Sequence, residues 1–182
     1  MIFSNLELPH FRLQDMKIKP LIQLREMISK ALSGQTNLSK TFQSFFIETM
    51  ELILTHTGRL NFTQMARCGR SCESRFRQNF RKSFDWLSFN RSFLESTKGH
   101  RIAIAIVDAD AKQFTGLTHC QARNKEALSF AFNASLTSVN LARAFARQQG
   151  MALSVGSTKT LLTTLQWWID LLQCPENLRT CD

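Results

Sequence analysis

Apolar side chains recur at helical spacing in stretch after stretch of this chain, and a glycine or proline punctuates each one. Residues 20–32 carry Leu21, Leu24, Met27, Ile28 and Leu32 on that spacing, with Pro20 placed to open a helix and Gly34 to end it. Asn37 or Ser39 can cap a second helix over about 39–57, whose broad apolar face holds Phe42, Phe45, Phe46, Met50, Ile53 and Leu54 before Gly58 stops it. A further pattern runs from Asn124 through Leu128, Phe132, Leu136, Val139, Leu141 and Ala142 to Gly150; its low charge predicts burial. The last, about 158–173, follows Gly156 and Ser157 and carries Leu161, Leu162, Leu165, Trp168, Ile169 and Leu172 on one side. Trp167 must lean away from that side. One run reads differently: Arg101 to Val107 is compact and β-branched, the pattern of a buried strand. The expected fold is mainly α, with one residual strand at about 101–107 between helical flanks.

Residues 61–87 divide into a short helix, a glycine turn and a longer helix. Asn61 or Thr63 can cap the first, through Met65, Ala66 and Arg67. The break is Cys68-Gly69-Arg70-Ser71, and a helix from about Glu73 to Leu87 follows, which makes a helix-turn-helix-like segment. The spacing from Ala66 to Gly69 is one residue shorter than in the commonest form of that motif. At about 100° per residue, Phe76, Phe80, Phe84 and Leu87 fall in one sector and Arg75, Gln78 and Lys82 on the opposite side. Arg77 and Arg81 lie between, toward one flank. One side packs inward; the other offers long hydrogen-bond donors to phosphates or base edges.

The charge supports that reading by its location. The formal net charge is +9. Residues 59–101 carry ten basic and three acidic side chains, net +7, whereas 1–58 and 102–182 each carry net +1. A cationic block attracts a polyanion and releases its counterions. The candidate DNA contacts are Arg67, Arg70, Arg75, Arg77, Gln78, Arg81 and Lys82.

Other chemistry is constrained by what surrounds it. No apolar run of about 18 residues exists, so no membrane span is expected. Met1 to His10 does not read as a secretion signal, which makes the cytoplasm the expected compartment. The five cysteines, Cys68, Cys72, Cys120, Cys174 and Cys181, are odd in number and irregular in spacing, unlike a disulfide framework. Cys68 and Cys72 could share a helix face, but a zinc site needs two more ligands and no second close pair exists. Asp108 and Asp110, at the end of the strand run, are placed to hold a divalent metal.

Two stretches resemble one family. Residues 24–106, from LREMISKAL to KGHRIAIAI, resemble the amino-terminal region of DDE transposases of bacterial insertion sequences, in the family-four group with an RNase H-like core. Residues 110–144, DAKQFTGLTHCQARNKEALSFAFNASLTSVNLARA, resemble the carboxy-terminal end of that core. Together they cover roughly two thirds of the chain. Such enzymes use two Asp and one Glu to hold two Mg2+ or Mn2+ ions that activate water or a 3′ hydroxyl against DNA phosphate. On this resemblance Asp108 is the counterpart of the first catalytic Asp, displaced by one through Val107. The middle Asp has no counterpart. The place of the Glu is taken by Ile104 to Val107, and Asp110 matches a non-catalytic family Asp.

The resemblance therefore implies an internally deleted transposase. Residues 1–100 would form a helical DNA-binding region, 101–150 a residual piece of the catalytic core, and 151–182 a helical tail. A sheet without its middle strands leaves edges uncovered, so the two helical parts are expected to pack on each other. Expected partners are DNA and a full-length transposase, at the bacterial nucleoid. Neither a membrane, a small-molecule substrate nor a cofactor of its own is expected. Two alternatives follow from the same residues: an active enzyme with a rearranged metal site at Asp108, Asp110 and Glu126, and a non-functional fragment or regulator of the intact enzyme.

Overall fold

The computed structural model describes residues 13–35, 38–58, 60–94, 114–115, 122 and 124–173. Among them are seven helices: α1 (Leu13–Ser33), α2 (Lys40–Thr55), α3 (Phe62–Cys68), α4 (Glu73–Asn79), α5 (Trp86–Leu94), α6 (Lys125–Gln148) and α7 (Val155–Gln173). The protein is mainly helical, as the apolar spacing predicts. The strand run at 101–107, and with it Asp108 and Asp110, lies outside the described residues.

Local chemistry sets most helix ends. Ser39 caps α2 by accepting from the Phe42 N–H at 3.2 Å; Asn37 lies outside the described residues. Asn61 caps α3 through the Gln64 N–H at 2.8 Å, and Asn124 caps α6 through the Ala127 N–H at 3.1 Å. Gly150 closes α6 at φ 66°, while the Gly150 and Met151 N–H groups donate to the Arg147 and Ala146 carbonyls at 2.9 Å each. Those two bonds define a Schellman ending, which needs a residue that tolerates positive φ. Ser154 starts α7 earlier than the apolar pattern suggests, its hydroxyl accepting from the Ser157 N–H at 3.1 Å.

Three expectations are corrected. Pro20 lies inside α1 instead of opening it; its fixed φ is helical, so what it removes is one backbone donor. The helix expected over 73–87 stops at Asn79, and a separate α5 starts at Trp86. Leu87 is therefore 82% exposed instead of facing the core with Phe76, Phe80 and Phe84. Leu128 and Phe132, named along the helical pattern expected to be largely buried, are exposed, because α6 buries the side marked by Ala127, Phe130, Ala134, Val139 and Leu141.

α2 is the axis of the fold. It packs against α1, α3, α4, α6 and α7, while α5 lies across α6 and α1. The amino-terminal helices and the carboxy-terminal pair thus share one core, the mutual packing expected for the two helical parts. Burial on α2 extends round the helix, from Phe42, Phe45 and Phe46 to Glu48, Thr49 and Leu52. Among the described residues eleven phenylalanines are buried, which accounts for the composition: 15 Phe and no Tyr. Phe45 meets Phe76, Phe80 and Phe130 at 5.7, 6.0 and 6.1 Å, and Phe46 meets Phe84, Trp86 and Phe89 at 4.4, 5.5 and 4.9 Å. A hydroxyl inside such a ring cluster would need a partner that the neighbouring rings do not provide. Each aromatic pair adds about 0.5–1.5 kcal/mol beyond area burial.

Polar ties fix the helices relative to one another. Asn90 on α5 donates to the Thr137 hydroxyl of α6 at 2.9 Å and accepts from Asn140 at 3.0 Å. Phe114 and Thr115 are pinned on α6 and α7. Ser135 donates to the Thr115 carbonyl at 3.2 Å and the Lys159 ammonium donates to the Phe114 carbonyl. A Cβ on Gly156 would meet the Phe114 ring at 2.7 Å, so a larger residue there would make the ring shift. No described helix is long and apolar enough to cross a membrane.

Candidate nucleic-acid interface

The turn between α3 and α4 is held by a buried carboxylate. Glu48 is only 5% exposed, in the middle of α2. It accepts from the Arg70 N–H at 2.5 Å, the Ser71 N–H at 2.8 Å and the Ser71 hydroxyl at 2.6 Å. Two backbone donors and a hydroxyl satisfy a charge that burial would otherwise make costly. Gly69 makes the approach possible: a Cβ there would lie 2.6 Å from the Met65 carbonyl and 2.7 Å from Glu48 Oε1. The glycine turn read from the sequence is thus clamped to α2, and it fixes the angle at which α4 leaves.

The seven candidate contacts do not share one face. Thr41, Glu48 and Thr55 form one stripe on α2, since seven residues make nearly two turns and about 10 Å of rise. Toward its amino-terminal end, the Arg75 guanidinium donates to the Thr41 carbonyl at 3.3 Å, and the Lys82 ammonium lies 5.6 Å from the centre of the Phe42 ring. Lys82 follows α4 instead of standing on it, yet it too reaches the amino-terminal turn of α2. Gln78 and Arg81 are exposed at the end of α4 and just after it. Toward the other end of the stripe, Arg67 and Arg70 line a groove of about 870 Å³ with Arg25, Glu51 and Trp167. Arg70 lies 3.7 Å from Glu51, which Arg25 holds by two bonds at 2.7 and 3.0 Å.

Arg77 points a third way. It pairs with Glu73 at 2.5 Å, and its guanidinium lies 5.1 Å from the centre of the Phe62 ring. Glu73 also accepts from the Thr63 hydroxyl at 3.0 Å. Arg77 and then Thr63 hold the Glu73 carboxyl below its ordinary pKa. This pair lies at the surface, where it contributes little to stability. Asp85 is engaged by Ser88, whose N–H and hydroxyl donate at 3.0 and 2.7 Å and depress its pKa. The remaining acid of the basic block, Glu95, lies outside the described residues.

The cysteines part in the same way. Cys68 ends α3 and Cys72 precedes α4, so they flank the turn instead of sharing a helix face. Cys68 Sγ lies 3.8 Å from His56 Nδ1, while Cys72 Sγ lies 3.1 Å from the Ser74 hydroxyl. Among the described residues no three His, Cys, Asp or Glu side chains come together as metal ligands. Glu126 is exposed in the first turn of α6.

Two features escaped the sequence reading. Glu48 was legible as a carboxylate at core spacing between Phe45 and Leu52. The groove beside Trp167 was not, since it is built from α1, α2, α3 and α7. No family of known proteins, no curated protein and no solved structure matches this chain.

Proposed function

We propose that the chain is a shortened transposase of a bacterial insertion sequence that binds duplex DNA without cutting it, in the cytoplasm at the nucleoid. The observation that carries the reading is the donor set on α4 and just after it, the exposed Gln78, Arg81 and Lys82 with the half-buried Arg75, within a block of net charge +7. Glu48 clamps the turn that orients it. The likeness of residues 24–106 and 110–144 to such enzymes supports the family assignment, and the missing counterparts of two of the three carboxylates support the loss of cleavage. In this reading Arg75, Arg81 and Lys82 meet phosphates, and Gln78 stands between them where a base edge would be within reach. Arg67 and Arg70 stand apart, in the groove.

A mobility-shift titration tests this. Three phosphate contacts predict a logarithmic salt slope of about −2.7, so affinity falls roughly 40-fold between about 50 and 200 mM salt. The double variant Arg75→Ala with Lys82→Ala should reduce that slope by about 1.8 and weaken binding to all sequences alike. Salt-independent binding would exclude phosphate contacts. Strand-cleavage assays with Mg2+ or Mn2+ test the other half: cleavage abolished by Asp108→Ala would restore the enzyme reading.

A further inference from the structure

We propose that the groove between α1, α2, α3 and α7 is a self-association site, in which the Trp167 indole of one copy enters the groove of a second copy and receives that copy's Trp167 in return. The proposal goes beyond the DNA-binding reading and rests on different residues.

The chemistry of the groove does not suit a polyanion. Its charged lining is Arg25, Arg67 and Arg70 against Glu48, Glu51 and Asp170, a net charge of zero. Glu51 is shared by Arg25 and Arg70, and Glu48 is taken by the α3–α4 turn. Among the described residues, that leaves Arg67 without a carboxylate partner. Among the described residues it also leaves Asp170 held only by the Gln166 amide, at 2.7 Å. One unmatched cation and one lightly held anion on the same face are complementary to the same face of another copy.

The apolar part has the same self-complementary form. Trp167 is 72% exposed at the edge of the groove, and one turn along α7 Leu171 is 66% exposed. Ile22, from α1, is 48% exposed and lines the groove. A two-fold interface requires that the projecting group and its receptor lie on one face of each copy. Here they are adjacent. The volume, about 870 Å³, admits an indole with room for the arginine stems that flank it. Tryptophan and arginine are the side chains that most often carry interface energy, and both line this groove. Since one indole supplies only about 200 Å² toward the roughly 800 Å² per partner of a stable interface, the dimer should be of moderate affinity.

Sedimentation equilibrium on the full chain, from low to high micromolar concentration, tests this. The expected result is a reversible shift from the chain mass to twice that mass. Trp167→Ala should raise the dissociation constant about ten-fold or more. Arg67→Glu and Asp170→Arg should each weaken the dimer by repulsion, and the double variant, with both signs exchanged, should restore it. Circular dichroism and thermal melts of each variant separate loss of association from loss of fold. A monomer at every concentration overturns the proposal. So does a dimer indifferent to Trp167→Ala, or a charge-exchanged double variant that stays monomeric while folded. Binding of a single-stranded thymidine oligonucleotide that Trp167→Ala abolishes, with no dimer present, would assign the groove to nucleic acid and overturn it as well.

Discussion

Glu48 and Gly69 are a matched pair, and each constrains the other. Glu48→Ala would leave the Arg70 and Ser71 N–H groups without their acceptor, at a cost of about 1–3 kcal/mol per group that stays buried. Gly69→Ala would drive a methyl into the Met65 carbonyl and the Glu48 carboxylate, so the turn must shift. Both variants should melt several degrees below the parent, at about 2–4 °C per kcal/mol for a chain of this size. Both should also weaken the proposed DNA binding, because the turn aims α4. A variant that loses binding with an unchanged melting temperature would mean that the clamp serves orientation alone. Thr163 predicts the opposite sign. Its hydroxyl is buried with no hydrogen-bond partner among the described residues. Thr163→Val keeps the shape and removes the unmet group, so it should be neutral or stabilising by about 1 kcal/mol, read from the denaturation midpoint.

Among the helices, what the sequence disclosed follows from what is local. Caps at Ser39, Asn61 and Asn124 and the glycine ending at Gly150 depend on residues within a few positions of each other, and they were legible. The end of α4 was not. Phe76, Phe80 and Phe84 continue a helical spacing, but the core needs Phe84 and Trp86 against Phe46 while Phe80 meets Phe45 and Phe130. A straight helix cannot serve both, and the chain bends after Asn79. One local sign was available: Asp85 followed three residues later by Ser88, an N-cap for a new helix. For the interface, the sequence disclosed the cationic residues but not their dispersal along α2. The double variant Arg75→Ala with Lys82→Ala should therefore reduce duplex affinity far more than the Arg67→Ala with Arg70→Ala double variant, compared at one salt concentration.

The junction of α7 with Phe114 carries a pH dependence. Burial pushes the Lys159 ammonium down to about 8, from an ordinary value of 10.5. Its field, after desolvation, also lowers the pKa of His56. Between about pH 8 and 10.5 the folded protein has released the Lys159 proton while the unfolded chain retains it. The unfolded state binds more protons there, so stability should rise with pH across that window. Lys159→Met should flatten the rise. Urea midpoints at intervals from pH 7.5 to 10.5 would show it; equal slopes in both proteins would mean that the amine is not the group responsible.

At the scale of the whole molecule, the dry phenylalanine core leaves the protein without tyrosine, and its three tryptophans occupy two different environments. Trp86 is packed edge-on against Phe84 at 4.8 Å and Phe130 at 4.9 Å. Trp167 and Trp168 stand on the solvent side of α7, 72% and 43% exposed. The near-ultraviolet emission of the native protein is therefore a sum of a blue, shielded component and a red, quenchable one. Iodide should extinguish only the second, and Trp86→Phe should remove the first. Because no phenol absorbs beside the indoles, excitation at the phenol band and at the red edge should give superimposable spectra. The molecule thus carries two separate optical gauges: one indole reports on core melting, and the α7 pair on whatever covers that surface.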